Sequence, residues 1–220
     1  MEKYFDKIKK SPVFAGLSDE EIRAFLTCSN SKTDSVKKGG FIFREGDGIS
    51  RFGLLLGGEA LIIHEDFWGN RNIISRVVPP QLFAETFAFS SGKTLSVSVV
   101  AESDCTFMLF DVEKMMFPCA SVCAHHGKII RNLLSDMANK NIRMNEKLLH
   151  MAKRSTREKL LSYLSSVSEA KGKNEFDIPF SRQQLADYLS VDRSAMSAEL
   201  SKMKNEGIID CEKNHFVIKT

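Results

Sequence analysis

The pattern of apolar and polar positions changes period twice along the chain. Near the start, Ser18 and Glu21 have capping-box spacing and Ile22, Phe25 and Leu26 form a stripe, which predicts a helix over 18–28. From about Thr33 to Val112 the pattern is one of short strands with turn punctuation. Gly39-Gly40 precedes Phe41-Ile42-Phe43, and Glu45-Gly46-Asp47-Gly48 follows it. An apolar run over 52–56 ends at Gly57-Gly58, and runs over 60–64 and 73–78 flank a hairpin turn around Trp68-Gly69-Asn70. Residues 94–101 alternate Leu95, Val97 and Val99 against Ser96 and Ser98, as a half-buried strand does, and a final strand follows over 105–110. Six or more short strands at such intervals predict an antiparallel sandwich or jelly roll.

After Pro118 the period becomes helical. Ile130, Leu133, Met137, Met144, Leu148 and Met151 are spaced 3, 4, 7, 4 and 3 residues apart and share one stripe. Repeats of 3 and 4 make the seam of a coiled coil, and Asn141 falls where the longer step skips a position, as a register-fixing polar residue would. A helix of about 25 residues overruns a small barrel, which favours a partner helix. Packing of the stripe on the chain's own barrel is the alternative.

Ser155 and Glu158 start a new helix bearing Leu160, Leu161 and Leu164, which ends in a solvated loop over 169–174. A short strand over 176–180 leads to a third capping box, Ser181 to Gln184, whose helix turns Leu185, Ala186 and Leu189 inward. After a turn at Ser190-Val191-Asp192, Asp192 caps a helix with Met196, Leu200 and Met203 facing a core. The opposite stripe is Arg193, Ser197, Ser201 and Lys204; Gly207 stops the helix, and a hairpin over 208–219 closes the chain.

Composition narrows this reading. The 220 residues carry a formal charge of +3, with 43% hydrophobic and 27% charged residues, ordinary for a folded protein with packed cores. The longest stretch free of Asp, Glu, Lys and Arg runs over 115–127, short of the ~20 apolar residues of a membrane span, so no membrane partner is expected. The N-terminus MEKYFDKIKK lacks a signal-peptide core, and five scattered cysteines suit a reduced, cytoplasmic protein. From Met151 to Thr220 there are 12 Lys+Arg and 10 Asp+Glu, compatible with nucleic-acid binding without demonstrating it.

Helix, tight turn, helix and wing together form a shape that lays its second helix in a major groove. Arg193, first on that helix beside Asp192 and Ser194, has a fork suited to guanine O6 and N7. Ser181, Arg182 and Gln183 at the start of the preceding helix suit phosphate oxygens. A plain helical hairpin with a solvated face is the competing reading; the small polar residues of the exposed stripe weigh against it.

At this point the chain resembles the cyclic-AMP receptor protein / fumarate–nitrate reduction regulator (CRP/FNR) family over nearly its whole length. Lys38-Gly-Gly-Phe-Ile-Phe-Arg-Glu-Gly-Asp47 is similar to the family's early barrel motif, the run over 52–60 to its strand-Gly-strand, and Phe83-Ala-Glu85 to the Gly-Glu of its nucleotide cassette. The resemblance implies an α+β fold of three parts. An effector-sensing β-roll over 1–118 is joined by a dimerisation helix over 119–154 to a winged helix-turn-helix over 155–220. It implies double-stranded DNA and a second copy of the chain as partners. RNA polymerase would be a further one, through the loop at 171–174, whose composition is equally that of plain surface. The effector pocket would lie around Phe83, Glu85, Thr86, Leu95 and Ser96, with Met144 and Asn145 of the long helix beside the base.

Departures from the family pattern redirect the chemistry. The arginine that meets the cyclic phosphate corresponds to Leu95; Pro80-Gln81 stands for Gly-Asp, and Ala84 for Gly. A phosphate monoanion without that cation loses one of the strongest hydrogen-bonding pairs, so cyclic AMP is not expected as the effector. No cofactor is expected, and the small-molecule effector is unidentified. In the reader, Ala198 replaces a common basic residue, Ser194 a cytosine-reading Glu and Ser190 a turn Gly, so the operator differs from the best-known sites. No cysteine precedes Cys28, which argues against an N-terminal iron–sulfur cluster; Cys119, Cys123, His125 and His126 are a weak candidate for a metal or redox site. An effector-binding module whose last helices bind only protein is the rival class. No nucleophile elbow, phosphate-binding glycine loop or HExxH speaks for an enzyme.

Overall fold

The computed structural model describes residues 2–29, 31–92, 94–116 and 124–219. It divides into two compact units, Met1–Lys140 and Asn141–Thr220.

The first unit opens with α1 (Phe5–Ile8) and α2 (Asp19–Cys28), the latter started by the expected reciprocal box between Ser18 and Glu21. Among the described residues eight strands follow: β1 (Lys32–Val36), β2 (Phe41–Phe43), β3 (Arg51–Gly57), β4 (Ala60–Glu65), β5 (Arg71–Val77), β6 (Leu82–Phe83), β7 (Ser98–Ala101) and β8 (Cys105–Asp111). The short helix α3 (Glu85–Ala88) interrupts them. They form two four-stranded antiparallel sheets, ordered β1-β8-β3-β6 and β2-β7-β4-β5, a jelly-roll-like arrangement. Phe14 and Phe25 pack on Phe110, closing one end of the apolar core with the N-terminal helices. Glycine is required at two close approaches: a Cβ on Gly53 would meet the Phe83 ring at 2.0 Å, and one on Gly58 the carbonyl oxygen of Asp104 at 2.2 Å.

The expected strand over 94–101 is shorter than its alternation suggests. Only Ser98–Ala101 pairs in the sheet. Leu95 instead exchanges backbone hydrogen bonds with the turn before β3, its amide donating to the Asp47 carbonyl (3.1 Å) and its carbonyl accepting from the Gly46 amide (2.8 Å).

Beyond α4 (Val112–Met116) lies the long helix α5 (Ala124–Met151), which begins in the first unit and ends in the second. Its stripe needs one correction. Leu133 does not belong to the exposed seam: it is buried in the barrel core with Ile129, and Met137 packs partly against that core. Leu134, 62% exposed, takes the place in the outward stripe. Ile130, Leu134, Met137, Asn141, Met144, Leu148 and Met151 then alternate steps of 4 and 3 without a gap.

In the second unit the structure places α6 (Thr156–Lys171), β9 (Glu175–Asp177), α7 (Arg182–Leu189), α8 (Arg193–Asn205), β10 (Ile209–Glu212) and β11 (His215–Ile218). The boxes at Ser155/Glu158 and Ser181/Gln184 both form, and α6 ends at Gly172 in the left-handed conformation. The three strands make a small antiparallel sheet, β10-β11-β9. Its core joins Leu160, Leu164, Leu185, Leu189, Met196 and Leu200, beside the stacked rings of Phe180 and Tyr188 at 4.8 Å.

The end of α5 adds a buried cation to this unit. Lys147 lies over the Tyr188 ring, 4.6 Å from its centre, and burial pushes its ammonium down to about 8 from an ordinary 10.5. Between those values the unfolded chain binds the extra proton, so stability rises with pH above about 8. Burial also raises Tyr163 and Tyr188, so above about pH 10 the unfolded tyrosines ionise first and the trend reverses. Calorimetry across pH 7–11 should therefore show the melting temperature of this unit passing through a maximum on the alkaline side, and Lys147→Met should flatten the rising limb.

Candidate nucleic-acid interface

The candidate interface is built on α8. Its inward face, Met196, Leu200 and Met203, is buried, while Arg193, Ser194, Ser197, Ser201 and Lys204 are exposed. From α6, Arg157 holds α8 by ion pairs to Glu199 (3.4 Å) and Glu206. Lys159 of α6 donates to the Leu189 and Ser190 carbonyls at the end of α7, each at 3.4 Å. The turn between α7 and α8 places Ser190 at φ 51, the left-handed conformation that glycine adopts most readily.

Apart from Arg193, each polar side chain along this face has a defined local role. Asp192 caps the helix, its Oδ1 accepting from the Ala195 amide (2.8 Å) and the Ser194 hydroxyl (2.5 Å). Ser197 Oγ donates to the Arg193 carbonyl and Ser201 Oγ to the Ser197 carbonyl, at 2.9 and 3.0 Å. With their protons spent on the helix, both hydroxyls face outward as acceptors. Lys204 is paired with Asp210 at 2.6 Å, which raises its pKa. Among the described residues Arg193 makes no ion pair or side-chain hydrogen bond, so its guanidinium keeps all its donors at the start of the helix. Asp192→Ala should cost about 1 kcal/mol of stability through loss of the cap, measurable by urea unfolding.

At the start of α7, Ser181 and Gln184 spend their side chains on the reciprocal cap, and Gln183 Nε2 donates to Asp187 (2.8 Å). Arg182 lies over the Phe216 ring, 5.0 Å from its centre, and its buried Nη1 has no hydrogen-bond partner.

In the first unit, Glu85 is 3% exposed and Phe83 fully buried against Phe43 and Phe107. Thr86 and Ser96 are exposed, and Leu95 is buried. Ala84, just before Glu85, has φ 64. Replacing it with glycine should relieve that conformation and raise stability by about 0.5–1 kcal/mol, read by thermal unfolding. Met144 and Asn145 lie in the second unit, both exposed, with Asn145 Nδ2 donating to Asn141 Oδ1 at 3.2 Å.

Sequence reasoning missed the partner of Glu85. Lys140 of α5 donates to Glu85 Oε1 (2.7 Å) and the Leu82 carbonyl (2.8 Å) and lies 3.2 Å from Asp136 Oδ2. Two nearly buried carboxylates thus share one ammonium, and Glu85 Oε2 is left without a hydrogen bond. The Asp136–Lys140 spacing of four was the one sequence signal for this cluster.

Of the weak metal candidates, Cys119 and Cys123 lie outside the described residues, as does the side chain of His125. His126 is buried edge-on to Phe25, with no hydrogen bond at either nitrogen. Among the described residues no three metal-ligating side chains come together, and no helix is long and apolar enough to cross a membrane.

An exposed polar reader helix on a winged helix-turn-helix, carried with a jelly-roll-like unit, defines a DNA-binding transcription regulator with a cyclic-nucleotide-binding-like domain. The comparisons agree. A Crp-like helix-turn-helix domain model matches residues 147–220, and a cyclic nucleotide-binding domain model matches residues 33–119. The transcriptional activator protein FnrL of Cereibacter sphaeroides is 24% identical over 198 residues, 84% of this chain and 75% of that one. The c-di-GMP-responsive global regulator CLP of Xanthomonas campestris shares the fold with a TM-score of 0.75 at 16% identity, over 92% of this chain and all of that one. FixK2 of Bradyrhizobium japonicum does so at 0.65 and 17% identity, over 86% and 93%. The chain belongs to the CRP/FNR family of regulators.

Proposed function

We propose that this chain works as a homodimer that reads an inverted-repeat operator with α8, under control of an effector other than cyclic AMP. The observation that carries the reading is the exposed stripe of α8, with an Arg193 at its start that has no side-chain partner among the described residues and two serine acceptors behind it. Arg193 would read guanine; Ser197 and Ser201, as acceptors, would face cytosine or adenine amino groups; Arg182 would hold a phosphate. The outward stripe of α5 supports a two-stranded seam, with Asn141 fixing register. Twofold symmetry then sets half-site centres about 34 Å apart on one face of the duplex.

Two features speak against cyclic AMP. Leu95 brings no cation, and Glu85, at the position of the cassette glutamate, is already held by Lys140. Titration calorimetry with cyclic AMP should give no binding at micromolar nucleotide; a micromolar or tighter isotherm would reject this part of the reading. Sedimentation equilibrium, followed by fluorescence anisotropy on a promoter duplex and a scrambled one, tests the rest. A dimer that prefers one duplex, with affinity falling steeply as salt rises, is the expected outcome; a monomer indifferent to sequence would overturn it.

A further inference from the structure

The end of α5 docks on its own unit through polar groups. From Asn141 to His150 only Lys147 and His150 are buried. The apolar side chains of the same stretch, Ile142, Met144, Leu148 and Leu149, are all exposed. A docked helix ordinarily buries its apolar stripe; here the inward face consists of two titratable groups.

His150 is fixed on α6 at both ring nitrogens. Its Nδ1 lies 2.8 Å from Ser162 Oγ and its Nε2 3.3 Å from Ser166 Oγ, and the ring stands edge-on to Tyr163, with 6.0 Å between centres. Ser166 Oγ also donates to the Tyr163 carbonyl at 3.0 Å. Its one proton is thereby used, so it accepts from His150, and the ring proton sits on Nε2. Nδ1 then accepts from Ser162. This set fits a neutral imidazole, and a proton added at Nδ1 would face the hydroxyl proton of Ser162.

The charged surroundings point the same way. Burial, the largest influence, holds His150 below the ordinary imidazole range; Glu146 favours the charged ring and Lys153 opposes it. From α6 the ring meets Ser162, Ser166 and Tyr163, and Tyr188 of α7 packs on Tyr163 and under Lys147. Burial raises both phenols and so keeps them uncharged. Among the described residues of this unit no carboxylate is buried, whereas Lys147 already is. A protonated His150 would be a second buried cation without a buried counter-charge.

We propose that His150 is a proton-controlled latch between the long helix and α6: neutral, it locks the last turns of α5 onto the serine pair, and protonated, it releases them. Acid is therefore the signal. As pH falls through about 6.5, the ordinary imidazole value, the released joint takes up the proton before the locked one, so locking weakens toward lower pH. Arg157 and Lys159 of α6 hold α8 and the end of α7, so release would loosen the support of the reader helix. That consequence for DNA rests on the reading of α8 given above; the latch itself does not.

Imidazole nitrogen NMR of the full-length protein, with the His150 signal identified by its absence in His150→Gln, should show the Nε2–H form and a midpoint below 6.5. Hydrogen exchange read by mass spectrometry, corrected for its intrinsic pH dependence, should show peptides over 144–166 losing protection several-fold between pH 7.5 and pH 5. In His150→Gln, whose amide can still donate to Ser166 and accept from Ser162 but takes no proton, that loss should disappear. Ser162→Ala removes the donor to Nδ1 and should raise the midpoint, which keeps the test open if the glutamine variant does not fold. Protection that stays level with pH in the parent, or falls equally in His150→Gln, overturns the proposal, and so does a midpoint that Ser162→Ala leaves unchanged or lowers. Operator affinity in the same buffers should fall several-fold further in the parent than in His150→Gln; equal losses would overturn the coupling to the reader. A protein that prefers no operator, with the exchange result intact, would overturn the reading of α8 instead.

Discussion

Replacing Lys140 with methionine should destabilise the first unit by about 3 kcal/mol. The ammonium is the only cation in an ion pair with Glu85 and Asp136 among the described residues, and Glu85 is almost fully buried. Removing one member of a buried ionic group leaves the rest uncompensated, which costs more than never having built it. The loss should therefore be largely recovered by adding Glu85→Gln, whose amide needs no counter-charge. Urea unfolding followed by circular dichroism measures both. A Lys140→Met protein as stable as the parent would mean that Glu85 is held by something other than this ion pair. The same cluster bears on the proposed effector site, since a carboxylate already paired within the chain has less to offer a ligand hydroxyl.

Arg193→Ala should weaken binding to the selected operator by about 1–3 kcal/mol, roughly 5- to 150-fold, and leave binding to random DNA nearly unchanged. The reasoning is geometric. The guanidinium is exposed at the first position of a helix whose other face is locked into a core, and it has no competing partner among the described residues. Lys204 differs: its ion pair with Asp210 must be weakened before it can serve DNA, so Lys204→Ala should cost less. Anisotropy titrations on operator and random duplexes separate these cases. An equal loss on both would make Arg193 a phosphate contact.

Local chemistry was the legible part of this fold. The boxes at Ser18, Ser155 and Ser181 and the Asp192 cap depend on residues three apart, and all four form as their spacing implies. The reader helix was legible for the same reason, because its two faces differ in composition. What depended on distant partners was not. From Ile130 to Met137, a path through Leu133 steps 3 and 4, and one through Leu134 steps 4 and 3. Only the barrel beneath decides that Leu133 is buried and Leu134 exposed. The Leu95–Ser98 alternation fitted a strand equally well, yet the Gly46–Asp47 turn captures the backbone of Leu95 before the ladder begins. The Lys140–Glu85 pair spans 55 residues, and no local pattern announces it.

Selection of duplexes from a random pool by the purified full-length protein asks the central question most directly. Enrichment of an inverted repeat with half-site centres about 10–10.5 base pairs apart, and a guanine that loses its preference in Arg193→Ala, is the expected result. A pool that stays random, or that converges on one unrepeated half-site, would contradict a twofold reader built on α8.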